Sequence, residues 1–222
     1  MSRAAFFDFD RTLLDADSQR EEALSLMKTP PGLLYLCRLL KVVGIEPFYK
    51  KDLITHETFN RVYLSSYKGI PLSTLEAHAR KLYTTTLRPR LMASMMERLK
   101  AHRQNGDRIA ILSATSRHLI APFIEEVKPD AWADTAIETD GSGVCTGKPM
   151  GNVCVGKVKA AHLLRLAEEM GVDPKACIAY SDHHADLEFL EAVGQPVAVN
   201  PTARLHDIAT QRGWQTLFEK QA

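Results

Sequence analysis

Three short apolar runs, Arg108 to Ser113, Ala176 to Ser181 and Pro196 to Val199, are bounded by polar or turn residues and separated by helical patterns. Buried parallel strands read this way, because both of their faces are covered and no polar alternation survives. Between them the sequence predicts one helix opened by Pro89 and reaching Asn105-Gly106, a second starting at Ser116, and a third from about Gly156 to Met170 with Gly171 as terminator. Strand, helix, strand in repetition predicts an α/β fold. Its parallel sheet would be covered on both faces, with ligands outside the carboxyl ends of the strands.

A further apolar run, Ala4 to Phe7, delivers Asp8-Phe9-Asp10-Arg11-Thr12. Carboxylates at the end of a buried strand destabilise a fold unless something cationic or phosphorylated uses them. Asp8, Ser113 and Asp182 all fall at predicted strand ends. One shared crevice is the economical reading.

Strand signals disappear over residues 16–87. Leu33, Leu34, Leu36, Leu39, Leu40 and Val43 follow a helical stripe ended by Gly44, and Ser73 with Glu76 forms a capping box before Leu75, Ala79 and Leu82. This helical insert leaves the sheet after the first carboxylate strand, so it is expected over the crevice as a lid. Asp134 to Thr146, with its Gly141-Ser142-Gly143 turn, predicts a small hairpin.

Composition narrows the partners. In 222 residues, 28 basic side chains face 27 acidic ones, so no broad field draws the chain to nucleic acid or an anionic membrane. The first apolar run is too short to span a bilayer and lacks a signal-peptide pattern. Cys37, Cys145, Cys154 and Cys177 contain no closely spaced metal pair and read as reduced, buried thiols of a cytoplasmic protein. Nothing in the sequence sets the oligomeric state.

An aspartate that attacks phosphorus becomes an aspartyl phosphate, which water must then hydrolyse, and both steps move a proton. Asp8 is the candidate nucleophile. Asp10, two residues on and facing the same way on an extended chain, is placed to protonate the leaving alkoxide and then deprotonate the water. A phosphate dianion facing carboxylates calls for a hard cation with oxygen ligands; Mg²⁺ fits best, with Asp182 as a further contact. Lys159 supplies fixed positive charge, while Ser113, Thr12 and backbone amides donate hydrogen bonds to the phosphoryl oxygens. Two other classes use similar residues: a signalling domain that accepts or senses phosphate without hydrolysing it, and a phosphotransferase or mutase. A base for water and a lid over the crevice favour hydrolysis of a small phosphorylated metabolite.

These residues resemble the haloacid dehalogenase-like (HAD) superfamily, and within it the phosphoserine phosphatase-like branch, subfamily IB, over most of the chain. Asp8, Asp10 and Thr12 meet its Asp-x-Asp-x-Thr motif, and Ile109 to Ser113 its strand ending in Ser or Thr. Lys159, with Lys157 as the spare, meets its helix-opening lysine, and Asp182 with Asp186 its acidic pair four apart. The resemblance implies a Rossmann-like core over residues 1–15 and 88–222, a helical cap over residues 16–87, Mg²⁺ dependence and an aspartyl-phosphate intermediate. It also implies metal contacts from Asp8, the Asp10 carbonyl, Asp182 and, more remotely, Asp186. Arg11 stands where many members carry Gly, and Ala185 where phosphoserine phosphatases commonly carry Asn. His183 and His184 read as loop residues, and Asp17, Arg20 and Arg61 as charged helix faces without an assigned role.

Overall fold

The computed structural model describes residues 3–28, 33–51 and 53–219. Strand β1 (Ala4–Phe7) is completely enclosed, all four residues having 0% exposure. The chain then runs through helices α1 (Ser18–Lys28), α2 (Leu33–Lys50), α3 (His56–Ser65), α4 (Leu72–Leu82) and α5 (Ala93–Gln104) to β2 (Arg108–Ser116). Helix α6 (Arg117–Val127) leads to β3 (Ala131–Thr135), after which β4 (Ile137–Thr139) and β5 (Cys145–Pro149) pair antiparallel. Helix α7 (Gly156–Glu169), β6 (Ile178–Ser181), α8 (Leu187–Glu191), β7 (Gln195–Val199), α9 (Ala203–Arg212) and β8 (Gln215–Leu217) follow.

Six strands form one sheet in the order β3-β2-β1-β6-β7-β8, and every pairing is parallel. Side-chain alternation divides β1 between two cores, as the two-residue period of a strand requires. Ala5 and Phe7 pack with Leu99 of α5 and Phe123 of α6, whereas Ala4 and Phe6 pack with Leu163 of α7, Phe189 of α8 and Leu205 of α9. Burying each phenylalanine contributes about 1.5–3 kcal/mol, so this central strand is strongly held. The fold is the expected Rossmann-like α/β sheet with helices on both faces.

A third core belongs to the helices between β1 and β2. Leu26, Tyr35, Leu39, Tyr63 and Leu75 meet there, joined by Ile137 and Cys145 from the β4–β5 hairpin. The expected hairpin is therefore present, but it packs on the helical layer rather than extending the sheet. Gly147 permits this approach: its φ is +84°, and a Cβ there would stand 2.9 Å from Lys68 Cβ.

Local signals were overridden in several places. Helix α2 continues through Gly44 and Pro47 to Lys50 instead of ending at Gly44. Continuation carries Tyr49 onto Phe59 at 4.5 Å between ring centroids, a tertiary contact that a helix ending at Gly44 would lose. Leu39 of the expected stripe is buried, but Leu40 and Val43 are exposed; the side chains of Leu33 and Leu34 lie outside the described residues. Ser73 and Glu76 sit inside α4, which starts at Leu72 behind Pro71, so no capping box forms; Leu75, Ala79 and Leu82 are buried as expected. Pro89 belongs to a short 3₁₀ turn, Arg88–Arg90, and α5 begins only at Ala93. Cys37 is exposed on α2, while the other three thiols are buried, and all four are free. Among the described residues no helix is long and apolar enough to cross a membrane.

Candidate active site

Register brings the strand ends together. Phe7 is level with Ile111 of β2 and Tyr180 of β6, and Asp8 N–H donates to the Tyr180 carbonyl at 3.0 Å. Asp8, Asp10, Ser113, Lys159, Asp182 and Asp186 consequently line one cavity of about 840 Å³. Arg11 also lines it, with a φ of +57°, the left-handed conformation that favours glycine. That strained turn swings the chain from β1 toward α1.

Lys159 reaches the site from the first turn of α7, where its side chain is almost wholly buried. Its Nζ donates to Asp8 Oδ1 at 2.7 Å and to Asp186 Oδ2 at 2.5 Å, and Ser181 Oγ adds a bond to Asp186 Oδ2 at 2.8 Å. Burial alone would lower Lys159, yet Asp186 and Asp8 hold it above the ordinary lysine range. Burial likewise works to raise Asp186, but Lys159 and Ser181 more than offset it and its carboxyl lies below the usual value. Lys157, the alternative, is exposed.

Asp10 is held differently. Ser18 N–H donates to Oδ1 at 3.0 Å, while Ser18 Oγ and Thr115 Oγ1 donate to Oδ2 at 2.9 and 2.7 Å. Burial, with the charge of Asp17 next, pushes its carboxyl up to about 7 despite these bonds. Burial also raises Asp8, to about 6, with Lys159 pulling the other way. A carboxyl that titrates near neutrality suits a group that must both give and take a proton.

Asp182 is buried and pushed well above the carboxylate range, first by desolvation and then by Asp8 and Asp186. Such a group is short of positive charge. Among the described residues no three His, Cys, Asp or Glu side chains form a ready-made metal cluster. Mg²⁺ does not need one, since it keeps several waters and takes one or two carboxylates beside other oxygens. Asp8 and Asp182, both lining the cavity, supply such a hard donor set.

A family model for the haloacid dehalogenase-like hydrolases matches residues 5–191, which includes every one of these positions. The chain belongs to the haloacid dehalogenase-like hydrolase family. This HAD hydrolase is 28% identical to phosphoserine phosphatase SerB1 of Mycobacterium tuberculosis over 97% of the chain and 70% of that protein. It is 26% identical to a histidinol-phosphatase of Neisseria meningitidis over 98% and 99% of the two chains. A solved protein of unknown function from Bordetella pertussis Tohama I superposes with a TM-score of 0.83 at 26% identity, covering 98% and 99%. The HAD chain is an enzyme of the phosphatase kind, acting in phosphoester hydrolysis.

Of the candidate catalytic, phosphate-binding and metal-holding residues, Thr12 is the one not brought to the cavity. It is fully buried, and its Oγ1 has no hydrogen-bond partner among the described residues. Ser113 lines the cavity, its Oγ accepting from Thr115 N–H at 3.2 Å. Asp17, Arg20, His183 and His184 line it as well, whereas Arg61 is spent on an exposed pair with Glu57. Thr115 and Ser18 were missed. Thr115 follows Ser113 by two residues and so shares its strand face, a signal that was available; Ser18 depends on where α1 docks, which no local pattern states.

Proposed function

We propose that this chain is a Mg²⁺-dependent phosphomonoester hydrolase that works through an aspartyl phosphate on Asp8. The observation that carries the reading is the division of roles in one cavity: Asp8 is paired with Lys159, and Asp10 is clamped by Ser18 and Thr115. Asp8 attacks phosphorus as the P–O bond to the alcohol breaks. Asp10, protonated at the start, gives its proton to the departing alkoxide, then takes one from the water that cleaves the aspartyl phosphate. Lys159 holds Asp8 ionised and in position, and its charge offsets that of the transferring phosphoryl group. Ser113 contributes a hydroxyl to the same end of the cavity.

Asp8, Asp182 and the Asp10 carbonyl would hold Mg²⁺, with Asp186 contributing from farther out. When bound, the ion neutralises the repulsion between carboxylates and phosphate. Helices α1 to α4 are read as the lid, within a cap spanning residues 16–87 on a core of residues 1–15 and 88–222. Relatives named for phosphoserine and for histidinol phosphate support a small phosphorylated metabolite as substrate. A base beside the nucleophile favours hydrolysis over stable phosphate sensing. The test is phosphate release from a panel of small phosphate esters with Mg²⁺: turnover is expected for the wild type and its loss for Asp8→Asn. Full turnover by Asp8→Asn would contradict the reading.

A further inference from the structure

Helix α1 is docked mainly by polar contacts. Of its buried residues Ser18, Gln19, Glu22 and Leu26, only the last is apolar. Apolar burial is non-directional, whereas a hydrogen bond fixes distance and angle, so the seat of α1 is set by what its polar side chains touch. Ser18 and Glu22 lie one turn apart on the same face of the helix. Ser18 Oγ donates to Asp10 Oδ2 beside Thr115, and Glu22 Oε1 accepts from His118 Nε2 at 2.8 Å. Thr115 and His118 are themselves three residues apart, near the end of β2 and in the first turn of α6. Two rungs therefore join α1 to the β2–α6 junction, one at the Asp10 carboxylate and one a turn along the helix, where both partners are buried.

Glu22 is also where the helical layer meets the sheet core. Its Oε2 accepts from Tyr63 of α3 at 3.1 Å and from Tyr67, and Tyr67 stands edge-on to the His118 ring at 5.3 Å. The His118 side chain makes no other hydrogen bond among the described residues, its Nδ1 being buried without a partner. Its one polar contact is thus spent on α1. An apolar pair would join two helices at less desolvation cost, but without fixing the rotation of either. We infer that Glu22 and His118 are positioning residues for the proton donor: by fixing the rotation and height of α1 they hold Ser18 against Asp10, and so keep that carboxyl in the orientation its proton transfer needs. The inference rests on the phosphatase reading above and adds what keeps its acid in place.

The competing role for the pair is stability alone, and the leaving group separates the two. 4-Nitrobenzyl phosphate releases an alkoxide that needs a proton as it departs, whereas 4-nitrophenyl phosphate, of similar size, releases a stable phenolate that leaves without one. With Mg²⁺, His118→Leu should lower kcat/KM on the benzyl ester about tenfold to a hundredfold, the cost of a misplaced catalytic group, and leave the phenyl ester nearly unchanged. His118→Gln, whose amide can donate from the place of Nε2, should restore part of the loss. In a Ser18→Ala background, His118→Leu should add clearly less than it does in the wild type, because both act through the same contact with Asp10. Equal losses on the two esters, or an undiminished second loss in the Ser18→Ala background, would overturn the inference while leaving the phosphatase standing. If His118→Leu does not fold, Glu22→Gln is read on the same two esters with the same outcomes. Absence of turnover by the wild type on both esters would sink the phosphatase reading and this one together.

Discussion

Lys159 Nζ lies 2.7 Å from Asp8 Oδ1, although 151 residues separate the two in the chain. The contact joins the first turn of α7 to the end of β1 inside the protein, and the same ammonium bonds Asp186. Removing one member of a buried, hydrogen-bonded charge set leaves the others uncompensated. Lys159→Met should therefore lose turnover and also cost about 3–5 kcal/mol of stability, read from urea unfolding without added metal. An unchanged midpoint would show that the pair is not buried in solution.

In the proposed mechanism Asp10 is protonated when it releases the alkoxide, and its carboxyl is pushed up to about 7 by burial. Below that value it is ready as an acid, and above it the proton is gone. For esters with a poor leaving group, kcat/KM should fall as pH rises through about 7. Asp10→Asn should lower the rate by roughly a hundredfold to ten-thousandfold and flatten that limb. Thr115→Val removes one donor to the carboxylate and should move the limb upward, because the charged form loses support.

Asp182 is raised in the folded state, so its charge opposes folding at every pH above its unfolded value of about 3.9. Without metal at pH 7, Asp182→Asn should melt at a higher temperature than the wild type. Added Mg²⁺ should raise the wild-type Tm and leave the variant's nearly unchanged. Calorimetry with and without Mg²⁺ checks both signs.

Glu22 of α1 is fully buried, accepting from His118 at 2.8 Å, from Tyr63 at 3.1 Å and from Tyr67. Burial works to raise it, but His118 and the Tyr67 hydroxyl win and its carboxyl lies below the ordinary range. A depressed carboxyl contributes stability above its unfolded value, about 4.3, and that stability is lost as pH falls through the folded value. Glu22→Gln should cost about 3 kcal/mol at pH 7 and weaken the loss of stability on acidification, followed by circular dichroism.

What was legible in the sequence follows from how locally each feature is encoded. β1, β2, β6 and β7 are continuous apolar runs because both of their faces are covered, and they were readable as such. β3 and β8 are edge strands; β3 exposes Trp132 and β8 spans only Gln215–Leu217, so neither offers a run to find. The acidic residues and Lys159 stood out because charge at a strand end or on an apolar helix is costly. Tyr49, His56 and Phe59 carry no such mark: rings at helical spacing look like core until the docking of α2 and α3 turns them toward the cavity. The extent of α2 was hidden for the same reason, since tertiary contact at Tyr49 decides it against Gly44 and Pro47.

The central claim is that Asp8 is esterified during turnover. Rapid acid quenching of the wild type with a radiolabelled phosphoester and Mg²⁺, followed by peptide mapping, tests it most directly. One phosphoryl group on the peptide that contains Asp8 is expected, accumulating further in Asp10→Asn when an ester with a good leaving group is supplied. Turnover with no label on Asp8, or with the label on another residue, would contradict it.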